Sequence, residues 1–540
     1  MKKVLFLLLA LTLVLSACGT PAPAAEAPVA EAPAADAPAA EAAPAEAAVV
    51  EQGPVVIAMD SILDQMDPMF SSSLNAASIY ENMFDELVVL DENVELAPSL
   101  AKSWTNSEDG KTWTFTLRDD VKFWDGTPLT AADVKYTVDR MTDPAIGATG
   151  NTEYLNSQML VENVEVVDDY TVSITTEQPV PAFLYSIQEV GIMSKAFYEN
   201  MAVEDTSKTA MGSGPFKFVE FVLDDHISLV ANEEYWAGAP AIKELVFRNV
   251  PEASTRIAEL ATGGADVAQN IPVAKFSEVE AIETARLVSK MGGCRMFFGF
   301  NFADPTFQDK NIRQAMNYAV DWETINEVIF GGAAPRMVIN VNPPWLNEDL
   351  SAYPYDPEKA TELLAASGYT PNADGMMEKD GEVLSPEIMI YYDPTSDRYE
   401  VLTSIIDMYQ QIGINASAIP TERSVAIDKL INKDFGDMFF MGSCSSFEGQ
   451  GDITDLASTS VTNYGGWDNV EFMDLYNQLL VEFDPAVRAQ LLDDMQVIAF
   501  EEAPQVWLYR LINSYGIANR IDWDPPITGR IHMFNVNFVE

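Results

Sequence analysis

At 540 residues the chain is too long for one compact core, and with 48% hydrophobic and 10% aromatic residues it belongs with folded, multi-lobed proteins rather than with disordered ones. Its 83 acidic residues against 31 basic ones give a formal net charge of -52, a surface that repels phosphate backbones and excludes nucleic acid as a partner. Two histidines, His226 and His532, are too few for a His-rich metal site, and no metal is expected.

The N-terminus reads as an address. Lys2 and Lys3 precede an apolar run over 4–15, of signal-peptide length and too short to span a bilayer comfortably. Leu15-Ser16-Ala17-Cys18-Gly19 follows, and this segment resembles the lipobox of bacterial lipoproteins. The resemblance implies a signal peptide over 1–18, lipidation of Cys18, and an extracytoplasmic protein anchored to the membrane at the cell surface or in the periplasm. Several acyl chains anchor stably where one would be marginal. Residues 19–52 are rich in Pro, Ala and Glu, cannot bury enough surface to fold, and read as an extended linker.

Beyond the linker, strand and helix signals alternate. Thr112-Trp113-Thr114-Phe115-Thr116-Leu117-Arg118 has period two and predicts a half-buried strand, as does Thr171-Val172-Ser173-Ile174-Thr175. Thr130, three residues before Asp133, predicts a helix cap. Asp356-Pro357 opens a helix with Ala360, Leu363 and Leu364 on one face and Gly368 as its stop. Asp484-Pro485 opens another, with Val487, Leu491, Met495 and Ile498 as its apolar stripe. Mixed elements along the whole chain predict an α/β architecture without internal repeats.

Catalytic signatures are missing. Gly110-Lys111-Thr112 ends like a phosphate-binding loop, but Thr105 stands where its first glycine belongs and a strand follows. There is no Gly-x-Ser-x-Gly elbow and no Gly-x-Gly-x-x-Gly fingerprint. The chain is expected to be no enzyme and to need no cofactor. Cys294 and Cys444 either bridge or stay separate as small buried apolar residues. Their neighbours, Arg295 to Phe298 and Met438 to Met441, read as adjacent core strands, and a bridge requires their registers to match.

A longer resemblance begins at Leu96-Ala97-Pro98-Ser99-Leu100-Ala101-Lys102-Ser103-Trp104 and runs through Asp109-Gly110-Lys111-Thr112-Trp113-Thr114-Phe115 to Phe123-Trp124-Asp125-Gly126-Thr127-Pro128-Leu129-Thr130. It continues in Gly212-Ser213-Gly214-Pro215-Phe216, Asn232-Glu233-Glu234-Tyr235-Trp236, Ala253-Ser254-Thr255-Arg256 and Ile312-Arg313-Gln314-Ala315-Met316. These blocks resemble the peptide/nickel-type (family 5) solute-binding proteins of ABC importers. The resemblance implies a two-lobed periplasmic-binding-protein-like fold of type II, cluster C, with a hinge and an extra inserted domain. Carried onto this chain, lobe I is 53–88, 206–292 and 506–540, the inserted domain 89–205, and lobe II 293–505. It further implies a monomer whose hinge closes on a small solute, most simply a peptide, for delivery to a membrane permease.

The same resemblance proposes ligand-contacting residues. Peptide-binding members place an aspartate for the ligand's ammonium group in the segment matching Gly442-Ser443-Cys444-Ser445-Ser446-Phe447, but here that position is Ser446, which carries no charge. Glu448 and Asp452 lie close enough in sequence to substitute. Arg398, after Tyr391-Tyr392-Asp393, falls where relatives bind the ligand's carboxylate, or else serves an internal ion pair. Phe70, Ser71 and Ser72 fall where lobe I touches ligand in relatives. Trp345, Trp467, Tyr391 and Tyr392 are aromatic candidates for stacking, which keeps an oligosaccharide ligand open, and Phe447, at the end of the Gly442–Phe447 segment, is a further ligand-contact candidate. The acidic balance is either a solvated surface or a field that steers a cationic ligand. The alternative of another class is a surface lipoprotein that binds a macromolecular partner.

Overall fold

A computed structural model describes residues 53–71, 73–146, 155–156, 158–394, 396–444 and 447–539. Cys18 and the linker lie outside the described residues, as do Ser72 and Ser446. Residues 53–540 form one compact unit.

Its backbone is a ten-stranded mixed sheet. In chain order the strands are β1 (Val55–Met59), β2 (Phe216–Val222), β3 (His226–Ala231), β4 (Glu244–Asn249), β5 (Val267–Gln269), β6 (Ala285–Phe300), β7 (Glu387–Ile390), β8 (Ser417–Pro420), β9 (Met438–Ser443) and β10 (Gln505–Ala518). Across the sheet they run β8-β7-β9-β6-β10-β5-β1-β4-β3-β2. β1 is apolar throughout, Val-Val-Ile-Ala-Met, because it lies inside the sheet with parallel partners on both sides, β4 and β5.

The sheet divides at its two longest strands. Every strand before β6 lies on one side of the β6–β10 pair and β7, β8 and β9 on the other, so the chain crosses from lobe to lobe in β6 and returns in β10. These two pair antiparallel from Ala285↔Ala518 to Met291↔Ile512, break, and resume at Arg295↔Arg510. The break holds Gly292, Gly293 and Cys294. A Cβ on Gly293 would sit 2.6 Å from the Phe447 ring, so only glycine lets that aromatic approach the strand.

Each lobe has its own core. Val55, Ile57, Phe216, Leu229 and Phe247 belong to one cluster, and Phe298, Phe300, Ile388, Ile390 and Phe440 to another. The inserted region carries a separate four-stranded antiparallel sheet, Ala101–Asn106, Thr112–Leu117, Thr171–Thr176 and Val161–Asp168. Its predicted alternation appears as Trp113, Phe115 and Leu117 buried, with Thr112 and Thr114 hydrogen-bonded across to Thr175 and Ser173. Phe115 and Val172 join the same cluster as Val55, so insert and first lobe share one continuous core.

The helix starts follow their caps. Ala131–Thr142 begins at Thr130, whose backbone N–H donates to the Asp133 carboxylate at 2.9 Å. Pro357–Ala366 begins at Asp356, which accepts from the Lys359 N–H, and buries Ala360 and Leu364. Pro485–Glu502 begins at Asp484 and buries Leu491 and Met495. Val487, predicted on that stripe, is instead exposed, since the first turn projects past the core it packs on.

Candidate functional site

The lobes and the insert enclose a cavity of about 280 Å³. From the first lobe come Met69, Ser71, Tyr80, Glu81, Phe84 and Glu86, around the helix Leu74–Tyr80, with Asn513, Thr528 and Arg530 from the end of the chain. From the insert come Tyr185, Ser186 and Glu189, at and just after the helix Phe183–Ile187. From the second lobe come Gly293, Cys294, Cys444, Phe447 and Glu448. Space bounded by two lobes at their shared strands is where a hinged receptor places a ligand.

The second-lobe wall is set by register. Arg295 pairs with Ser443, so Cys294 and Cys444 lie side by side at the end of the β6–β9 ladder. They form a disulfide with S–S 2.02 Å, which resolves the two readings of these cysteines. Below it lies a buried ion network. The Arg295 guanidinium donates to Asp452 at 2.9 Å and to Asp455 at 3.0 Å, and the Asn342 N–H donates to Asp452 at 2.8 Å. The Asn342 amide donates to the Gly293 carbonyl at 3.1 Å, and Arg510 donates to the Asn342 side-chain oxygen. Asp452 is therefore structural. Glu448 is 7% exposed; one oxygen accepts from the Gly451 N–H, and the other, Oε2, is buried without a hydrogen-bond partner. Burial, with Asp452 adding to it and Arg488 opposing, pushes its carboxyl from 4.5 up to about 7.

The opposite wall carries three more carboxylates. Arg530 donates one nitrogen to Glu81 and the other to Glu189, joining first lobe and insert through the end of the chain. Burial raises the Glu81 carboxyl against the pull of Arg530. Burial, reinforced by Glu81 and Asp85, holds the Glu86 carboxyl well above its usual range.

Away from the cavity, insert and second lobe also touch at Phe483. Phe483, in the turn before Pro485–Glu502, packs on Trp113 with ring centroids 6.3 Å apart. A Cβ on Gly110 would meet that ring at 2.6 Å.

Three of the residues singled out from sequence, Ser71, Phe447 and Glu448, line the cavity, and Asp452 does not. Phe70 packs against the first core beside it. Tyr391 and Tyr392 stack on each other with centroids 4.5 Å apart, and Tyr392 accepts from the Gly442 N–H at 3.1 Å. The Arg398 guanidinium lies 5.0 Å over the Tyr392 ring, outside the cavity lining. Trp467 is buried in the second lobe, edge-on to Phe472 at 5.0 Å. Sequence reasoning missed Glu81, Glu86, Glu189, Tyr185 and Arg530. No local signal marks them, since Arg530 is 449 and 341 residues from its two partners.

Comparison with known proteins agrees with this geometry. Residues 95–464 match the model of the bacterial extracellular solute-binding proteins, family 5. Heme-binding protein A of Haemophilus influenzae is 30% identical over 461 residues, 81% of this chain and 82% of that one. Glutathione-binding protein GsiB of Escherichia coli is 27% identical over 492 residues, 88% of this chain and 93% of its own. Among solved structures, NikZ from Campylobacter jejuni in complex with Ni(L-His) has a TM-score of 0.73 at 25% identity over 87% of this chain and 95% of its own. HbpA2 from Haemophilus parasuis has a TM-score of 0.80 at 23% identity, covering 90% of this chain and 100% of that one. The chain belongs to the family 5 bacterial extracellular solute-binding proteins, and it is a binding protein of transport and not an enzyme.

Proposed function

We propose that this protein is the lipid-anchored, monomeric receptor of an ABC importer, closing its lobes on a small solute that bears an amino group, with short peptides the first class to test. The observation that carries the reading is the cavity, walled by both lobes and the insert beside the interrupted β6–β10 pair. Two antiparallel strands shared by both lobes flex where their ladder is broken, at 292–294, and a ligand that touches both walls favours the closed state. The division into 53–88, 206–292 and 506–540, 89–205, and 293–505 is part of this reading, and its boundary at 292/293 lies in that break. Anchoring through Cys18 and the 19–52 linker supplies reach from the membrane to a permease.

Peptides are favoured over sugars by the wall chemistry. Carboxylates dominate its charge, and Trp467, a candidate sugar platform, is held in a core. Relatives described as binding glutathione, a nickel–histidine complex and heme set the other solutes to screen. The test is a thermal-unfolding screen of the mature protein against tripeptides, glutathione, haemin, nickel–histidine and maltotriose. A true ligand at about a hundredfold excess over its Kd adds about 2.7 kcal/mol of stability. Stabilisation by tripeptides is expected. Stabilisation by maltotriose or haemin alone sinks the amino-group reading.

A further inference from the structure

We propose that the inserted region is a clasp for the closed receptor: its turn over 107–111 and Trp113 form a notch that grips the Phe483 ring of the second lobe. Phe483 is thereby a positioning residue that sets solute affinity from outside the cavity. This rests on the receptor reading above.

The block Asp109-Gly110-Lys111-Thr112-Trp113 carries part of the family resemblance, yet none of it lines the cavity. Its turn is fixed from within the insert. The Gly110 N–H donates to the Ser107 carbonyl at 2.9 Å, the Ser107 hydroxyl to Asp109 at 2.6 Å, and the Lys111 ammonium to the Glu177 carbonyl at 2.8 Å. Gly110 has φ of +73°, and a Cβ there would meet the Phe483 ring at 2.6 Å and Pro179 at 3.1 Å. Glycine thus serves the turn and leaves room for the ring at once. Trp113, 6% exposed, forms the other side of the notch.

The ring is presented just as firmly. Arg488 donates to the Leu479 carbonyl at 2.9 Å and the Glu482 carbonyl at 3.1 Å, and Asp484 caps the following helix through the Ala486 N–H at 2.9 Å. Phe483 remains 37% exposed, so packing within its own lobe does not account for it. Two surfaces that are already ordered lose little entropy on meeting.

The contact depends on closure. The insert shares one core with the first lobe, whereas the second lobe continues into the first through β6 and β10. A rotation about 292–294 therefore carries Phe483 away from the notch. Both halves of the clasp also reach the cavity. Trp113 stacks on Phe183 with centroids 5.8 Å apart, and the helix Phe183–Ile187 supplies Tyr185 and Ser186 to the lining. Arg488 donates to the Gln450 side chain at 3.2 Å, close in sequence to the lining residue Glu448. Clasp and solute accordingly favour the same state, and each strengthens the other.

A double-mutant cycle tests the clasp from both lobes. Phe483→Ala removes the ring, and Gly110→Ala places a methyl group where the ring sits. Each alone is expected to raise the ligand-free radius of gyration in solution scattering. Each should also speed release of trialanine in stopped flow about fivefold, with association little changed. The two together should do no more than Phe483→Ala alone, because both break one contact. With trialanine saturating, the radius of every variant should return to that of the unmutated protein. Additive effects, an unchanged ligand-free radius, or a radius that stays larger at saturation each overturn the clasp; the last marks a damaged fold rather than a shifted equilibrium. Should trialanine not bind the unmutated protein, the peptide reading falls, and the ligand-free radii of the four proteins decide the clasp by themselves.

Discussion

On one wall of the cleft, Glu81 and Glu189 share the two nitrogens of Arg530. On the facing wall, Glu448 keeps one oxygen without a partner above a fully engaged Asp452. Both walls bury carboxylates, yet only the first supplies its counter-ion at the surface of the cavity. In the second lobe the arginines, Arg295 and Arg510, lie one layer deeper and hold the fold. A wall whose charges are paired is finished when the chain folds. An acid left without a partner costs stability in the folded chain, so the two walls differ in how far Glu448 on one and Glu81 and Glu189 on the other are compensated.

That contrast can be broken at several points, beginning with the largest effect. Replacing Cys294 and Cys444 together by serine releases a bridge across 150 residues and is expected to cost about 4 kcal/mol in urea unfolding. A loss below about 1 kcal/mol would mean that the second wall is held by its ion network alone. Arg530→Met strands two partly buried carboxylates and should cost about 3 kcal/mol at neutral pH, less at pH 5, where Glu81, its carboxyl raised by burial, takes up a proton. Equal losses at both pH values would contradict the pairing.

Glu448→Gln should do the reverse and stabilise the ligand-free protein above pH 7 by about 2 kcal/mol. Between 4.5 and about 7 the folded Glu448 binds more proton than the unfolded one, so unmutated stability falls as pH rises through that window. The variant should lack this fall; a pH profile of Tm identical to the parent's would rule it out. Smallest is Phe483→Ala, which removes an aromatic pair between insert and second lobe. About 1 kcal/mol of closed-state preference should go, weakening ligand about fivefold and raising the ligand-free radius of gyration in solution scattering.

Much of the fold is legible in the sequence wherever the determinant is local. Thr112–Leu117 alternates because one face meets a core, and Thr130, Asp356 and Asp484 start helices because their own side chains or neighbours satisfy the first N–H groups. The disulfide is half legible: the strands are visible, but their register is a property of the pairing. The cleft is the least legible part. Phe447 and Ser71 fall in recognisable segments, whereas Arg530 meets Glu81 and Glu189 only through the return of the chain along β10. Arg398 shows the limit of resemblance. Its segment matches, but the Tyr391–Tyr392 stack gives its guanidinium an aromatic face to lie on, outside the cavity.

β10 is the last of the ten strands in the chain and lies in the middle of the sheet, between β6 and β5. Synthesis delivers a chain from its N-terminus onward, so both lobes wait for the same late segment before the shared sheet is complete. Until Gln505–Ala518 arrives, β6 and β5 each present an open edge, and Arg530 has not yet reached Glu81. Completion of the two halves and of the cleft between them is thereby tied to one late strand, and a chain cut short before β10 lacks the strand that joins β6 to β5.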